Sequence, residues 1–469
     1  MRIKFSTIII LLIVFMAIQE PLINKLPLPG SISLALRGFV EVFLFGAFVL
    51  FILRKIITAG SLRLAALDWA AIFFVITAVA ATILNDNRLF HATDNIRVLL
   101  RFLTIYYLTV NIVIEDQQAQ KIIAALAIIG VIEGALSLAQ YFFPSVNNFF
   151  ILRSGISASG LTIVKSYAAI KVGAAVGTFG APAEMAFFQC AALAAAAVFA
   201  SKTSLRSLFS IPALIALALI AWGAFATYKR FALLMMPIVL LIVLIVRAAK
   251  PQRLILITAA LLALIFAAIF FATLPSLESI LPQTFTKLDV REEAFAVSEF
   301  VSELFSPQYW RRVFNNSRGW FMITATQHML QSDHVWIGYG PDHDLARAKM
   351  AEETAALEIL DEGYSGFEDV YWVTMLIYYG VIGAGLFLIM LGLVFKSGFD
   401  LYRRGTSPID RSIGLIAICL AALIFLDNFA ERAFELRSVT FLFWLFAGMT
   451  AGRLRILRAD PPRPTREPA

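Results

Sequence analysis

Apolar residues run through most of this chain in uninterrupted blocks rather than in alternation with polar ones, and the blocks end on clusters of charge, glycine or proline. About 20 apolar residues make a helix long enough to cross a hydrocarbon core about 30 Å thick. Blocks of this kind fall at 5–23, 32–53, 64–84, 98–114, 122–143, 182–200, 207–226, 231–248, 254–274, 369–395, 412–427 and 438–452. In lipid every backbone polar group must be satisfied internally, which leaves helices or a closed barrel, and continuous runs decide for helices. The pattern therefore predicts an all-α, polytopic membrane protein of about twelve transmembrane helices. Between Pro275 and Phe367 the pattern stops, and about 90 residues run polar, a length that would otherwise serve four spans. The chain thus divides into spans one to nine over 1–274, a long loop over 275–367, spans ten to twelve over 368–452 and a basic tail over 453–469.

The connectors set the orientation. Arg54, Lys55 and Arg63 follow span two, Arg247, Lys250 and Arg253 follow span eight, and Lys396, Arg403, Arg404 and Arg411 follow span ten. These connectors share a side with the N-terminus and the arginine- and proline-rich tail, so that side is expected to be cytoplasmic. The long loop and the segments around 85–97, 144–181, 227–230 and 428–437 are then extracytoplasmic. The opening Met1-Arg2-Ile3-Lys4 followed by Phe5 to Ile23 has the look of a signal peptide, but no small-residue cleavage site follows, so an uncleaved first span is expected. Tryptophans at 310, 320 and 336 and helical spacing in Val290 to Phe305, with Asp289 as its N-cap, and in Trp320 to Leu330 predict that the loop forms short helices capping the membrane face.

Composition removes several function classes. The 469 residues are 60% hydrophobic and 15% charged, a balance that excludes a soluble globular protein. The two cysteines, Cys190 and Cys419, both sit inside spans, which argues against a disulfide framework or a thiolate metal site. Neither a P-loop, a strand-borne GxGxxG, HExxH nor a DxD-type metal pair occurs, so no cofactor or metal is expected. The net charge of +7 belongs to cytoplasmic connectors and lipid headgroups rather than to nucleic acid.

Candidate chemistry gathers on the outer side. Thr227-Tyr228-Lys229-Arg230 is either a tight turn whose basic residues snorkel to headgroups or an anion clamp on a cavity floor. Arg318, between Asn315-Asn316-Ser317 and Gly319-Trp320, is either a solvated loop residue or a second charge on the same anion. Gly338-Tyr339-Gly340-Pro341 is a turn signature with φ freedom at both glycines, and His343 follows it as a solvated or a catalytic side chain. Glu368-Asp369 opens span ten, where a carboxylate pair either favours the positive end of a helix or serves as a general base. Arg97 and Arg101 lie one turn apart at the outer end of span four, and Arg37 and Glu41 four apart on span two, readable as an intramembrane ion pair. Asp427, Glu431, Arg432, Glu435 and Arg437 read as a solvated rim.

Taken in order, these segments resemble the O-antigen ligase and polymerase superfamily of membrane glycosyltransferases. Gly177-Thr178-Phe179-Gly180-Ala181-Pro182 looks like the family's glycine-threonine-phenylalanine turn, and Lys229-Arg230-Phe231-Ala232 like its serine-arginine-glycine motif with Lys and Phe replacing small residues. Arg318-Gly319-Trp320 through Asp333-His334-Val335-Trp336-Ile337-Gly338-Tyr339-Gly340 is similar to its arginine-to-glycine-x-glycine stretch. Glu368-Asp369-Val370-Tyr371-Trp372 through Tyr379-Gly380-Val381-Ile382-Gly383 is similar to the entry into the following span, with carboxylates where many ligases carry His-Asn. The resemblance implies an inverting, metal-independent glycosyl transfer at the periplasmic face of the bacterial inner membrane, from an undecaprenyl-diphosphate-linked glycan. Arg230 and Arg318, supported by Lys229, Arg101 and Arg97, would hold the diphosphate, and Glu368, Asp369 or His343 would act as base. Partners implied are the lipid-linked donor, a glycan or lipid A core acceptor, the bilayer and a chain-length regulator, with no nucleic acid. The carboxylates favour a polymerase of an O-antigen or exopolysaccharide repeat. Kept beside it are a ligase moving a finished glycan onto lipid A core or protein, a transporter or flippase, which would show duplicated halves and mid-span charges, and a structural subunit of an envelope complex.

Overall fold

A computed structural model describes residues 4–25, 30–58, 65–112, 114–150, 174–202, 204–227, 229–248, 318–353, 370–429 and 431–459. Among the described residues the secondary structure is helical without strands. The helices are α1 (Phe5–Lys25), α2 (Gly30–Ile57), α3 (Ala66–Leu84), α4 (Leu89–Leu100), α5 (Leu103–Asn111), α6 (Asp116–Phe142), α7 (Pro144–Phe150) and α8 (Pro182–Ala200). They continue as α9 (Ile211–Phe225), α10 (Arg230–Arg247), α11 (Arg318–Gln331), α12 (His343–Glu353), α13 (Tyr371–Arg404), α14 (Pro408–Asp427) and α15 (Arg437–Ala459). Eight of them, α1, α2, α3, α6, α8, α13, α14 and α15, are long and apolar enough to cross a membrane, and α9 and part of α10 are shorter apolar helices.

Eight of the twelve expected spans coincide with these long helices and two with the shorter α9 and α10, and four differences stand out. The fourth, expected at 98–114, is divided into α4 and α5, because the chain bends at Arg101-Phe102. The bend turns the Arg101 guanidinium inward to the Glu435 carbonyl while Phe102 enters the core. The ninth, 254–274, lies outside the described residues, as do Val290 to Phe305 and Asp289. The eleventh and twelfth are longer than the apolar runs suggested, since α14 starts on a capping box of Ser407 and Asp410 and α15 runs on to Ala459. Charged residues at helix ends shorten a hydropathy block without shortening the helix.

Packing follows small residues. The helix α8 is the most enclosed of the spans together with α14, whereas few residues of α2 are buried. Helices α6, α8 and α9 pack together, α15 lies along α5, and α13 packs between α3 and α14. Where lipid gives no hydrophobic drive between helices, close backbone approach supplies the association energy. Gly448 and Gly452 of α15 meet the α5 backbone from Tyr106 to Val110, and Gly398 of α13 faces Gly414 of α14. Polar groups then collect at two ends of the bundle. At one, Arg453 pairs with Asp116 at 2.7 Å, Tyr402 donates to the Val246 carbonyl at 2.9 Å and Arg247 donates to Ser412. These are residues expected on the cytoplasmic side. At the other end lie Glu20, Glu184, Lys229, Asp342 and Arg437, all expected outside.

The span expected at 369–395 is not one continuous helix. Gly380 takes φ 62° and ψ −169° inside α13 and interrupts its hydrogen-bond ladder. The freed groups are satisfied by the segment before α12. Tyr339 N and Gly340 N donate to the Ile377 and Tyr378 carbonyls at 2.8 and 3.0 Å, and Val381 N and Ile382 N donate back to Val335 and Trp336 at 2.8 and 3.2 Å. Irregular backbone at membrane depth persists only where protein supplies these partners. Gly338, at φ 77°, presses against the same break, and a Cβ there would sit 2.6 Å from Gly380 N. The φ freedom read at Gly338 and Gly340 is therefore used, with Gly340 at φ 86°.

Gly380→Ala places a Cβ into the Trp336 and Ile337 backbone at a left-handed φ, so it is expected to destabilise by about 2–5 kcal/mol. Gly385→Ala, whose Cβ would meet nothing within 4 Å, should be neutral or stabilising by up to about 1 kcal/mol. Thermal unfolding of the two variants in detergent checks the contrast, and equal melting temperatures would contradict it.

Candidate functional site

The Gly338–Gly340 turn is held from its other side by the connector between α3 and α4 and by α4 itself. Asn85 Nδ2 donates to the Gly338 carbonyl at 3.0 Å, Asn87 Nδ2 to Tyr339 at 3.0 Å and Asn95 Nδ2 to Pro341 at 2.6 Å. Asp342 N donates in return to Asn87 Oδ1 at 3.0 Å. Amides suit this task because each offers a donor and an acceptor in one plane. Asp342, buried, takes a bidentate pair from Arg88, with Nε and Nη2 both at 2.6 Å, and Arg88 Nη2 also reaches Asp344 at 2.9 Å. Asp342 further caps α12, accepting from Leu345 N at 3.4 Å. The Arg88 guanidinium holds the Asp342 carboxyl below the usual carboxylate range. Its contribution to stability is therefore complete at neutral pH, above the unfolded value near ~3.9, and is lost as pH falls through the lower folded value.

The histidines of this region face tyrosines of the same turn and helix break. His328 Nε2 lies 2.9 Å from the Tyr339 hydroxyl, the His334 ring packs on Tyr339 with centroids 4.4 Å apart, and His343 Nδ1 lies 3.4 Å from the Tyr378 hydroxyl. His343, at the first turn of α12, is thus fixed beside the break in α13.

A second turn, 174–181, packs into the bundle next to the start of α10. Gly177 and Gly180 take φ 57° and 72°. Gln140 Oε1 accepts from Val176 N and Gly177 N at 3.1 and 2.9 Å, and its Nε2 donates to the Gly177 carbonyl at 3.0 Å. Glu133, buried inside α6, accepts from Thr178 N at 2.9 Å and meets the Thr178 hydroxyl, which also lies 2.7 Å from the Ala17 carbonyl. Ala175 N donates to the Ala226 carbonyl at 2.8 Å. That bond joins the turn to the end of α9, four residues before Arg230.

Ionisable groups near this end form a packed network. Glu41 takes Arg97 and lies 4.0 Å from Arg101, Arg37 reaches Glu20 at 3.6 Å and Arg437 reaches Glu20 at 4.0 Å. Arg432 pairs with Glu435 at 3.0 Å and Lys229 with Glu431 at 2.6 Å, while Glu184 accepts from Ser438 N at 3.0 Å. Two expectations are corrected here. Arg37 and Glu41 find partners on other helices instead of serving as a self-contained pair on α2. The cluster from Asp427 to Arg437 is not a solvated rim, because Asp427 is buried and the others are at most partly exposed. Pairing offsets part of the cost of burying these charges.

The anticipated site residues are distributed as follows. Arg230 opens α10 and Arg318 lies on α11, and their side chains fall outside the described residues. Glu368 and Asp369 also lie outside them, immediately before α13. Lys229 is engaged by Glu431, Arg97 by Glu41, and Arg101 is 2% exposed at its side chain, so these three sit in the network that frames the end of the bundle. Asn85, Asn87, Arg88, Asp342, Glu133 and Gln140 were not anticipated. A carboxylate inside an apolar span was the available signal for Glu133. The amide-rich run Asn85-Asp86-Asn87-Arg88 gave no indication of its partner more than 250 residues away.

The arrangement is that of a multi-pass membrane protein whose polar turns and loop helices meet at one end of the bundle. Residues 215–388, from α9 through the broken part of α13, match the family model described as O-antigen ligase, which supports the resemblance to the O-antigen ligase and polymerase superfamily over that part of the chain. No curated protein matches the chain.

Glu133→Gln keeps an acceptor for the Thr178 amide and offers the hydroxyl a donor, so it should unfold close to the wild-type temperature. Glu133→Ala leaves the Thr178 amide without its acceptor and should lose about 1–3 kcal/mol. Melting of the purified variants measures the difference, and equal effects of Gln and Ala would contradict the role given to Glu133.

Proposed function

We propose that this protein polymerises lipid-diphosphate-linked oligosaccharide repeats at the periplasmic face of the bacterial inner membrane, as an O-antigen or exopolysaccharide polymerase. The observation that carries the reading is that Arg230 begins α10 and Arg318 lies on α11, and that both helices belong to the family-matched region around the broken span. A helix N-terminus favours anions, and an arginine there adds a planar, permanently charged fork suited to phosphate. Further support comes from α11 packing on α13 and from Trp372 N donating to the Asn428 carbonyl at 3.2 Å, which ties the start of α13 to the end carrying Lys229.

In this reading the two arginines hold the donor's diphosphate and stabilise the charge that develops as it leaves. An acceptor sugar hydroxyl attacks the anomeric carbon from the opposite face, so the new glycosidic bond forms as the bond to the diphosphate oxygen breaks. Glu368 or Asp369 takes the hydroxyl proton, with His343 as the alternative base approaching from the start of α12. The lipid diphosphate leaves with the bonding electron pair and the configuration inverts. The donor arrives activated, so neither a nucleotide nor a metal is required. Lys229, Arg97 and Arg101 act by shaping the charged frame in which the diphosphate sits.

The test is glycan display in a deletion strain complemented with wild type, Arg230→Ala, Arg318→Ala or Glu368→Ala at matched protein levels. Each variant should lose polymer, with single lipid-linked repeats accumulating, at about 100-fold or lower turnover. Long lipid-linked chains left unattached would assign the protein as a ligase instead. Normal polymer in both arginine variants would remove the diphosphate clamp.

A further inference from the structure

A cavity of about 300 Å³ lies between α1, α2 and α5, away from the polar turns. Its walls are a stripe of α1 from Phe5 to Leu12, a stripe of α2 from Phe43 to Arg54, and Ile105 to Ile112 at the end of α5. Along each helix the lining positions recur at the three-, four- and seven-residue spacing that keeps side chains on one face. Every lining side chain is apolar except Arg54. The helix α2 is fastened elsewhere. Gln19 Nε2 donates to the Leu36 and Arg37 carbonyls at 3.2 and 3.0 Å, Arg37 reaches Glu20 at 3.6 Å and Arg97 pairs with Glu41. These bonds join the end of α1 to the first half of α2, so the two helices run antiparallel. The cavity falls in the other half, where, among the described residues, no hydrogen bond or ion pair draws α2 onto its neighbours.

We propose that this cavity holds one acyl chain of an anionic phospholipid, whose headgroup sits at Arg54 in the leaflet expected to be cytoplasmic. From Phe43 to Arg54 the α2 wall runs about 16 Å, close to the depth of one leaflet of a hydrocarbon core about 30 Å thick. A space lined by alkyl and phenyl groups forfeits dispersion contacts when empty and offers water no partners below Arg54, so a hydrocarbon chain suits it. Charge decides the headgroup. Arg54 lines the cavity at the end of α2 and is exposed, Lys55 follows it, and Lys4 directly precedes Phe5 on the antiparallel α1. Among the described residues no carboxylate pairs with any of these three. Basic groups at a membrane surface attract anionic lipid, and an arginine fork suits a phosphate. The lipid-diphosphate donor is a poorer occupant, because its charge would lie with Lys229 at the Glu20 end of the bundle, across the membrane from Arg54. The phospholipid thus completes the packing of the inner half of α2, which the protein's own side chains leave open.

The test is native mass spectrometry of the full-length protein released from nanodiscs made of equal phosphatidylglycerol and phosphatidylethanolamine. Wild type should keep one phospholipid through delipidation, and that lipid should be phosphatidylglycerol. Arg54→Gln should keep a lipid but lower the preference for phosphatidylglycerol about fivefold. Ala47→Trp fills the cavity from the α2 wall and should lose the lipid. Gly46→Trp, beside it where a Cβ would meet nothing within 4 Å, should retain it. Wild type without retained phospholipid overturns the proposal, as does equal retention of the two lipids or an undiminished lipid in Ala47→Trp. Retention of an added lipid-diphosphate oligosaccharide in place of phospholipid, or a dimer that Ala47→Trp dissociates, would give the cavity to another occupant and overturn it too. Should Ala47→Trp fail to fold, Arg54→Gln decides, because its exposed side chain can change without disturbing the bundle, and unchanged lipid preference there contradicts the headgroup site.

Discussion

A membrane-spanning helix can be broken only if something supplies the backbone partners it gives up, and here residues 335–340 supply them. Gly380 releases the Ile377 and Tyr378 carbonyls, and the amides of Tyr339 and Gly340 bond to them. The amides of Val381 and Ile382 bond in return to Val335 and Trp336. Each half would be untenable in lipid without the other. Because the supplying segment belongs to the long loop, the same exchange fastens that loop to the bundle. The glycines at 338 and 380 are needed because two backbones lie in contact there.

Everything proposed about chemistry inherits its geometry from this junction. The turn places His343 beside Tyr378, starts α12 on Asp342 and leads back to α11 and Arg318. On the other flank the 174–181 turn, gripped by Glu133 and Gln140, is bonded to the end of α9 and so sets where α10 and Arg230 begin. Between them the paired charges from Glu20 to Arg437 hold the helix ends together. Pairs of this kind fix arrangement more than they add stability.

Much of the fold was legible because its dominant constraint is local: a run of apolar residues long enough to cross the bilayer is visible in any window of the sequence. The eight long helices fall where such runs fall, and the helix over Arg318–Gln331 follows its spacing. Hydropathy does not register a break that is satisfied from elsewhere, so the Gly380 interruption and the Arg101 bend were missed. The glycine turns were legible as turns, since φ freedom is a property of the residue. Their partners were not, since Asn85, Asn87 and Arg88 bond to positions about 250 residues away through groups that any polar connector carries. Likewise the charges at 427–437 looked solvated because a sequence does not show which charges will face one another.

The central claim is that the protein forms glycosidic bonds at the expense of a lipid diphosphate. The most direct measurement is reconstitution of the purified full-length chain in liposomes with a lipid-diphosphate-linked oligosaccharide, following glycan length and released lipid diphosphate together by mass. The account predicts glycans of two or more repeats, with lipid diphosphate released once for every bond formed. Donor that remains intact, or that crosses the bilayer without any new bond, would contradict it.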